Sequence, residues 1–144
     1  MKNSACYVAS LLCSAFAVVF LLGGIPQLAH SQQTAPKENK GLKLTKKQSV
    51  DLAPEIAGME GRELRMQMVT IDPGGHIRLH DHKDRPAVSY FLQGTDTVTF
   101  GDGTTKVFHP GDTAFADKNT LHWHRNDGKE PVVFVIVDVF HKTK

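Results

Sequence analysis

A chain of 144 residues with a formal net charge of +2 has the length of one small domain and lacks the positive charge typical of nucleic-acid-binding proteins. Its 12 glycines and 7 prolines are spread among short runs of apolar and β-branched residues, which favours a turn-rich β protein over a helical one. The composition therefore predicts one small all-β domain with no nucleic-acid partner.

The N-terminus has the organisation of a secretory signal. Lys2 gives a short positive region, an uncharged and mainly apolar run follows over Tyr7–Leu22, and small residues stand at Ala29 and Ser31, the two positions that a signal peptidase reads. These features predict a signal peptide over 1–31 and a secreted or periplasmic protein that has no membrane contact after cleavage. The alternative is an uncleaved membrane anchor, for which the apolar run is slightly short.

The remaining chain divides into a linker and a domain. Both cysteines, Cys6 and Cys13, lie in the predicted signal, so disulfides and thiol chemistry are excluded from the mature protein. The segment 32–49 is polar and rich in lysine, which predicts a partly disordered linker. The folded domain is therefore predicted over 50–144.

Within the domain, alternating or compact apolar segments predict about eight short strands. These are Glu63–Ile71, His76–His82, Val88–Leu92, Thr95–Phe100, Thr104–Phe108, Thr113–Ala116, Leu121–Asn126 and Val132–Phe140. Asp72–Gly75 is predicted to be a turn, and Gly101–Gly103 the turn of a hairpin. Eight strands are enough for a small antiparallel β-barrel or a double-sheet jelly roll, the double-stranded β-helix.

Three histidines predict a metal site. His80 and His82 lie two residues apart, so on a strand their side chains point to the same face. His122, from a distant strand, can complete a pocket around one divalent ion. Neutral imidazole is the commonest metal ligand in proteins, and three ligands that leave positions open suit a catalytic site better than a structural one.

These histidines also belong to two motifs whose order resembles that of the cupin superfamily. The matching residues are Gly75, His80, His82 and Gly94 in the first motif, and Pro110, Gly111, Asp112, His122 and Asn126 in the second. More narrowly, the chain is similar to small, exported, single-domain cupins that carry an Arg-Pro and a His-Trp pair, here Arg85–Pro86 and His122–Trp123. The resemblance implies a barrel of the cupin type over the whole domain.

The sequence departs from that family at one ligand. Cupins commonly supply a glutamate four or five residues after the second histidine, where this chain has Pro86 and Ala87. Asp81 alternates to the face opposite its histidine neighbours, and Asp84 could reach the site only if its loop curled back. The sequence therefore predicts a centre of three histidines without a carboxylate, which the resemblance likens to a subset of ferrous-iron oxygenases.

Further side chains are candidates for the same pocket. His124 lies two residues after His122 and is predicted either as a fourth metal ligand or as a residue that orients a ligand. Tyr90 has the parity of an inward-facing residue and could donate to a bound oxyanion. Arg78 shares the face of His80 and could bind a substrate carboxylate, as could Arg85 from its loop.

The leading functional hypothesis is an exported metal-binding cupin that binds or transforms a small organic molecule. Ferrous iron is the favoured cofactor and dioxygenase chemistry the favoured activity, while nickel, manganese, zinc and copper stay open because imidazole selects poorly among them. Two alternatives remain: a binding module without turnover, and an isomerase or lyase that uses the metal as a Lewis acid. A homodimer is expected, because edge strands of small barrels are usually covered.

Overall fold

The computed structural model describes residues 34–142, and every regular element in that range is a β-strand. The strands are β1 (Lys40–Asp51), β2 (Arg62–Asp81), β3 (Ala87–Gln93), β4 (Asp96–Phe100), β5 (Thr105–Phe108), β6 (Thr113–Ala116), β7 (Leu121–Arg125) and β8 (Val132–His141). The predicted all-β class is confirmed. The predicted signal, 1–31, lies outside the described residues, and between 34 and 142 no helix is long and apolar enough to cross a membrane.

The strands form a nearly closed antiparallel barrel because the long strand β2 takes part in both of its layers. Its first part, 62–71, pairs with β8 on one side and β1 on the other, whereas its second part, 76–81, pairs with β7. Strands β3 and β6 extend the first layer beyond β8, and β4 and β5 extend the second beyond β7. The space between the two layers is where inward-facing side chains meet.

The bend in β2 falls where the sequence predicted a turn. The prediction was wrong in that the strand continues through Asp72–Gly75 instead of ending there. Gly74 adopts a φ of 69°, which favours glycine, and a Cβ at Gly75 would lie 2.7 Å from the carbonyl oxygens of Asp72 and Lys40. Two glycines therefore allow β2 to pass from one layer to the other without a break.

Asn126, directly after β7, stabilises this bend. It is 1% exposed, and its Nδ2 donates to the carbonyl oxygens of Ile71 and Glu130 at 2.9 and 2.7 Å. Its backbone N–H donates to Gly75 O, and its carbonyl accepts from Gly74 N–H. Because these bonds satisfy polar groups that the bend would otherwise leave unpaired, Asn126 has a structural role at the end of β7.

Strand β1 corrects the predicted linker, 32–49. Residues 40–51 form a regular strand against β2 rather than a disordered tether. Lys43 lies 3.3 Å from Asp72, and Lys46 lies 3.3 Å from Glu63. The prediction failed because β1 is an exposed strand, whose lysines make cross-strand ion pairs that a composition argument cannot detect.

The hydrophobic core lies between the layers near the β2 bend. Alternate residues of β2, β3 and β8 point inward and form a buried cluster, whose members are Val69, Ile71, Phe91, Val132 and Phe134. Phe134 is central, since it is opposite Val69 on one side and Phe91 on the other. Each such side chain contributes about 1.5–3 kcal/mol through burial, which makes this cluster a rigid base for the site beside it.

Candidate metal centre

The pairing of β2 with β7 places two of the predicted ligands side by side. His80 is directly opposite His122 in the register, after a one-residue irregularity between Ile77 and His80. His82 follows the end of β2, and its backbone N–H donates to Thr120 O at 3.1 Å. The three histidines are therefore fixed by backbone pairing at both ends of a short stretch of sheet.

The Nε2 atoms of these histidines converge. His122 Nε2 lies 3.1 Å from His82 Nε2 and 3.2 Å from His80 Nε2. The Nδ1 atoms of His80 and His82 each lie 2.9 Å from a backbone carbonyl oxygen, that of Arg78 and that of Arg85. A carbonyl oxygen only accepts, so both Nδ1 atoms donate and both Nε2 atoms carry a lone pair that faces the site.

This spacing fits a metal ion. Nitrogen ligands about 2.0–2.1 Å from a metal are about 3.0 Å apart at a right angle and about 3.4 Å apart at the tetrahedral angle. The two observed separations fall between these limits, and donor atoms of His80, His82 and His122 all lie within 4.8 Å of one another. The trio could therefore hold one divalent ion with positions left open.

A cavity of about 570 Å³ adjoins the trio between the two layers. Its walls are mainly apolar and include Val98, Phe100, Phe91, Phe134 and Ile136. A cavity of this size matches the range of small-molecule sites, in which a few polar groups orient a ligand against apolar walls. The histidines are thus at the surface of a space that can admit a small organic molecule.

A family model described as the cupin domain matches residues 67–140, which is more than half of the chain. This chain belongs to the cupin family. The matched range contains all three histidines and β3 to β7, so the family assignment covers the barrel and the candidate centre together.

The known proteins that resemble this cupin differ widely from it in sequence. Germin-like protein subfamily 3 member 3 of Arabidopsis thaliana is 31% identical over 85 residues, which cover 56% of this cupin and 40% of the relative. The polyketide cyclase RemF from Streptomyces resistomycificus has a TM-score of 0.57 at 20% identity, covering 72% of this chain and 70% of that chain. KdgF from Halomonas sp. has a TM-score of 0.55 at 16% identity, covering 78% and 93%. The two structures show the shared fold, and this cupin spans less than half of the curated relative.

No carboxylate joins the trio within the described part of this cupin. Asp81 is exposed and accepts from Lys83 N–H, while Asp84 is 63% exposed and pairs with Arg62 at 2.6 Å. Ala87 is buried and lines the cavity. Asp81 and Asp84 therefore lie outside the centre, as the sequence predicted.

His124 lies beside the trio but outside the group of converging atoms. Its ring is 4.6 Å from that of His122, centroid to centroid, and its Nδ1 lies 2.7 Å from Asp96 Oδ2. Asp96 is fully buried, and its Oδ1 has no hydrogen-bond partner among the described residues. His124 is thus held by Asp96 rather than placed among the converging ligand atoms, and its Nε2 is the nitrogen available to the cavity.

Of the two other predicted site residues, Arg78 lines the cavity and Tyr90 does not. Tyr90 is 50% exposed and does not line the cavity, so its predicted inward orientation was wrong. On β3 the inward residues are Ala87, Ser89 and Phe91. Arg78 lines the cavity with an exposed side chain, and its clearest contribution is the backbone carbonyl that holds His80 Nδ1.

A buried ion pair behind the site was not predicted from the sequence. Asp138 on β8 has a fully buried side chain and accepts from Arg65 Nε and Nη2 at 3.1 and 2.8 Å. Arg85, whose carbonyl holds His82, approaches the same carboxylate at 3.6 Å. The available signal was Asp138 itself, since it is the only acidic residue in β8 and every other residue of that strand up to Phe140 is apolar.

Burial keeps the histidines of the centre neutral. It lowers the pKa of His80 to about 4 and, together with the neighbouring histidines, the pKa of His122 to about 2. Burial also lowers the pKa of His82, although the hydrogen bond to Arg85 O acts in the opposite direction. Neutral imidazoles are the form that binds metal, so the apo site is prepared for an ion at neutral pH.

These shifts predict that the metal-free protein loses stability in mild acid. In the unfolded chain these histidines bind a proton below their ordinary pKa of about 6.5, whereas in the folded chain they stay neutral. The free energy of unfolding therefore decreases as the pH falls below about 6.5, down to about pH 4 for His80 and about pH 2 for His122. We expect roughly 1–2 kcal/mol to be lost per histidine between pH 7 and 5, measured by urea denaturation with chelator present.

The control for this pH effect is His109→Gln, which changes an exposed histidine. That variant should lose as much stability as the parent between the two pH values. His122→Ala should lose less, because one of the buried imidazoles is gone. Equal pH dependence in all three proteins would contradict the prediction.

Proposed function

We propose that this cupin is an exported protein that binds a divalent transition metal through His80, His82 and His122 and acts on a small organic molecule held in the adjoining cavity. Ferrous iron is the favoured metal and oxygen-dependent cleavage or oxidation the favoured reaction class. The proposal combines the cupin fold with a site that lies against an apolar cavity, which is the arrangement expected of a small-molecule enzyme.

One observation carries the metal assignment: two backbone carbonyls fix His80 and His82 so that their Nε2 lone pairs meet His122 Nε2. The Nε2 lone pairs of His80 and His82 both face His122 Nε2, which has at most one hydrogen to donate, so hydrogen bonding alone does not satisfy both of them, whereas one shared cation does. A structural role would be served by ring nitrogens that face hydrogen-bond donors. The site supports metal binding better than simple packing.

A bound metal would supply Lewis acidity and, for ferrous iron, a position for dioxygen. The chain's own residues provide the rest. The apolar walls around Phe91 and Phe134 exclude bulk water from the substrate. His124, held by Asp96 through Nδ1, has its Nε2 free to accept or return a substrate proton, so the pair is assigned proton handling.

A second candidate is a binding module that holds the metal and a ligand without turnover. The observation that favours it is the absence of a carboxylate among the converging donor atoms within 34–142. Without that carboxylate, the centre has no anionic ligand and no acid–base group on the metal itself. In an isomerase or lyase, His124 would have the same role as in an oxygenase, which is to accept or return a substrate proton.

The test is metal analysis and oxygen uptake on the full chain, expressed with its N-terminus and grown with iron and nickel in excess. The parent protein should retain about one transition metal per chain, whereas His82→Ala should retain far less. Oxygen uptake is then followed with diketones, phenols and thiols. The intact mass of the purified protein tests export in the same preparation, since removal of 1–31 is expected.

Each outcome separates the candidates. Metal retention with substrate-dependent oxygen uptake supports the enzyme, and metal retention without uptake favours the binding module. A parent protein that retains no transition metal overturns both. An intact mass that still includes residues 1–31 would contradict the proposed cleavage without bearing on the metal.

A further inference from the structure

The charges around the cavity are unbalanced. The cationic side chains that line it are Arg78, Arg85 and Lys106, whereas Asp117 is the only acidic one within the described range. Asp117 is exposed and already accepts hydrogen bonds from Thr120 and Asn119. The lining therefore presents more positive charge than it compensates, before any metal ion is added.

Arg85 is one of two cationic residues of this lining whose backbone carbonyl contacts a candidate ligand, the other being Arg78. The Arg85 carbonyl oxygen lies 2.9 Å from His82 Nδ1, and Arg85 lines the same cavity as His80, His82 and His122. Arg85 is thus attached to the centre through its backbone and adds a positive charge to the lining of the cavity.

The carboxylate that Arg85 approaches, that of Asp138, is already paired with Arg65. Asp138 makes two hydrogen bonds to Arg65, at 3.1 and 2.8 Å, and lies 3.6 Å from Arg85, outside hydrogen-bonding distance. Two guanidinium groups share one carboxylate, which leaves one positive charge uncompensated. Because the Arg85 side chain is 32% exposed, its donors are accessible to a ligand.

The wall next to Arg85 has room for a ligand group. Ala87 is 7% exposed, Ala116 is opposite it on β6, and both line the cavity together with Ala114. Small side chains at these positions leave space between Arg85 and the histidines. A divalent ion held by three neutral imidazoles adds two further positive charges to this space, which makes an anionic group there strongly favourable.

We propose that the cavity selects small organic carboxylates, with the carboxylate bound by Arg85 beside Ala87 and an apolar body against the phenylalanine walls. This inference rests on the proposed function for the metal, but the Arg85 contact does not require the metal to be present. It assigns the specificity of the site to Arg85, which forms charge-assisted bonds with a planar carboxylate.

The experiment titrates the full chain, with and without bound Co²⁺, with acetate, pyruvate and benzoate, and with benzamide as the neutral counterpart of benzoate. Calorimetry gives the affinities, and metal analysis accompanies every sample. We expect at least one of the three carboxylates to bind, and benzamide to bind at least about tenfold more weakly than benzoate.

Variants locate the contact. Arg85→Gln should weaken carboxylate binding roughly 10- to 100-fold at unchanged metal content, and Arg85→Lys should weaken it less. Arg62→Gln is the matched control, because Arg62 also pairs with an aspartate but does not line the cavity. Ala87→Glu should abolish carboxylate binding by placing a carboxylate beside Arg85, whereas Ala87→Gln, of equal size, should retain more of it.

The proposal is overturned if none of the three carboxylates binds, if benzamide binds as tightly as benzoate, or if Arg85→Gln binds them as tightly as the parent. If Ala87→Glu does not fold, Arg85→Gln and Arg85→Lys still test whether Arg85 binds the carboxylate. Failure of the parent protein to retain Co²⁺ would count against the metal centre alone, since the metal-free titrations still test Arg85.

Discussion

Replacing His122 with alanine is expected to lower the affinity for a divalent metal by roughly 100-fold or more, since even residues that only support a ligand change affinity by about 10- to 100-fold. His122 Nε2 is the atom that lies near both His80 Nε2 and His82 Nε2, at 3.2 and 3.1 Å. Without it, two neutral imidazoles remain. Competition with a chelator of known affinity measures the loss.

The matched control is His109→Ala, because His109 is an exposed histidine in the turn before β6 that does not line the cavity. It should bind metal as the parent does. Circular dichroism establishes that both variants keep the β-rich fold. If His122→Ala binds the metal as tightly as His109→Ala, the three histidines are not the ligands and the proposed centre is wrong.

The geometry of the centre could be predicted from the sequence to the extent that it depends on local pattern. The spacing of His80 and His82 predicts that their side chains lie on one face of a strand, and both reach the centre although His82 lies one residue beyond the end of β2. The strand boundaries from Val88 to Phe140 were also predicted to within one or two residues, because turn residues separate short apolar runs.

Alternation along the chain does not predict which face a residue occupies where β2 is irregular. His76 has the same parity as His80, yet it does not line the cavity, whereas Ile77 does. The register shift between Ile77 and His80 adds one residue to β2 relative to β7 and reverses which face each residue occupies. A bulge of this kind depends on the partner strand, so alternation within one segment could not reveal it.

Tyr90 shows a second limit of periodicity. Strand β3 is apolar on both faces, with Val88, Tyr90 and Leu92 outward and Ala87 and Phe91 inward. Alternation does not indicate which face is buried in such a strand. The choice is made by pairing, because Phe91 is opposite the buried Phe134 on β8, and that contact joins residues more than forty positions apart.

Contacts distant in sequence also determine how the site is supported. His124 and Asp96 belong to β7 and β4, and Arg65 and Asp138 to β2 and β8. Each aspartate is fully buried, which is costly unless a partner is close. The sequence contains the signal of a charged residue among apolar ones, but the identity of its partner follows only from the strand order.

Replacing Asp138 with asparagine is expected to destabilise the protein by about 3–5 kcal/mol, because it leaves the guanidinium of Arg65 without its buried counter-charge. The Arg65 side chain is 12% exposed and lies over the Phe140 ring at 3.7 Å, so it cannot turn to solvent without losing that packing. Urea denaturation at neutral pH measures the change, and the melting temperature should fall by more than about 10 °C.

Asp84→Asn is the matched control, since it removes a carboxylate that pairs with Arg62 at 2.6 Å but is 63% exposed. Water replaces an exposed partner, so this change should cost far less stability than Asp138→Asn although the distance is the shorter of the two pairs. Equal losses in the two variants would mean that burial does not set the strength of the Asp138 pair. A large loss in Asp138→Asn alone would establish that the buried pair of Asp138 with Arg65 stabilises the barrel, on the side where Arg85 approaches Asp138 and its carbonyl holds His82.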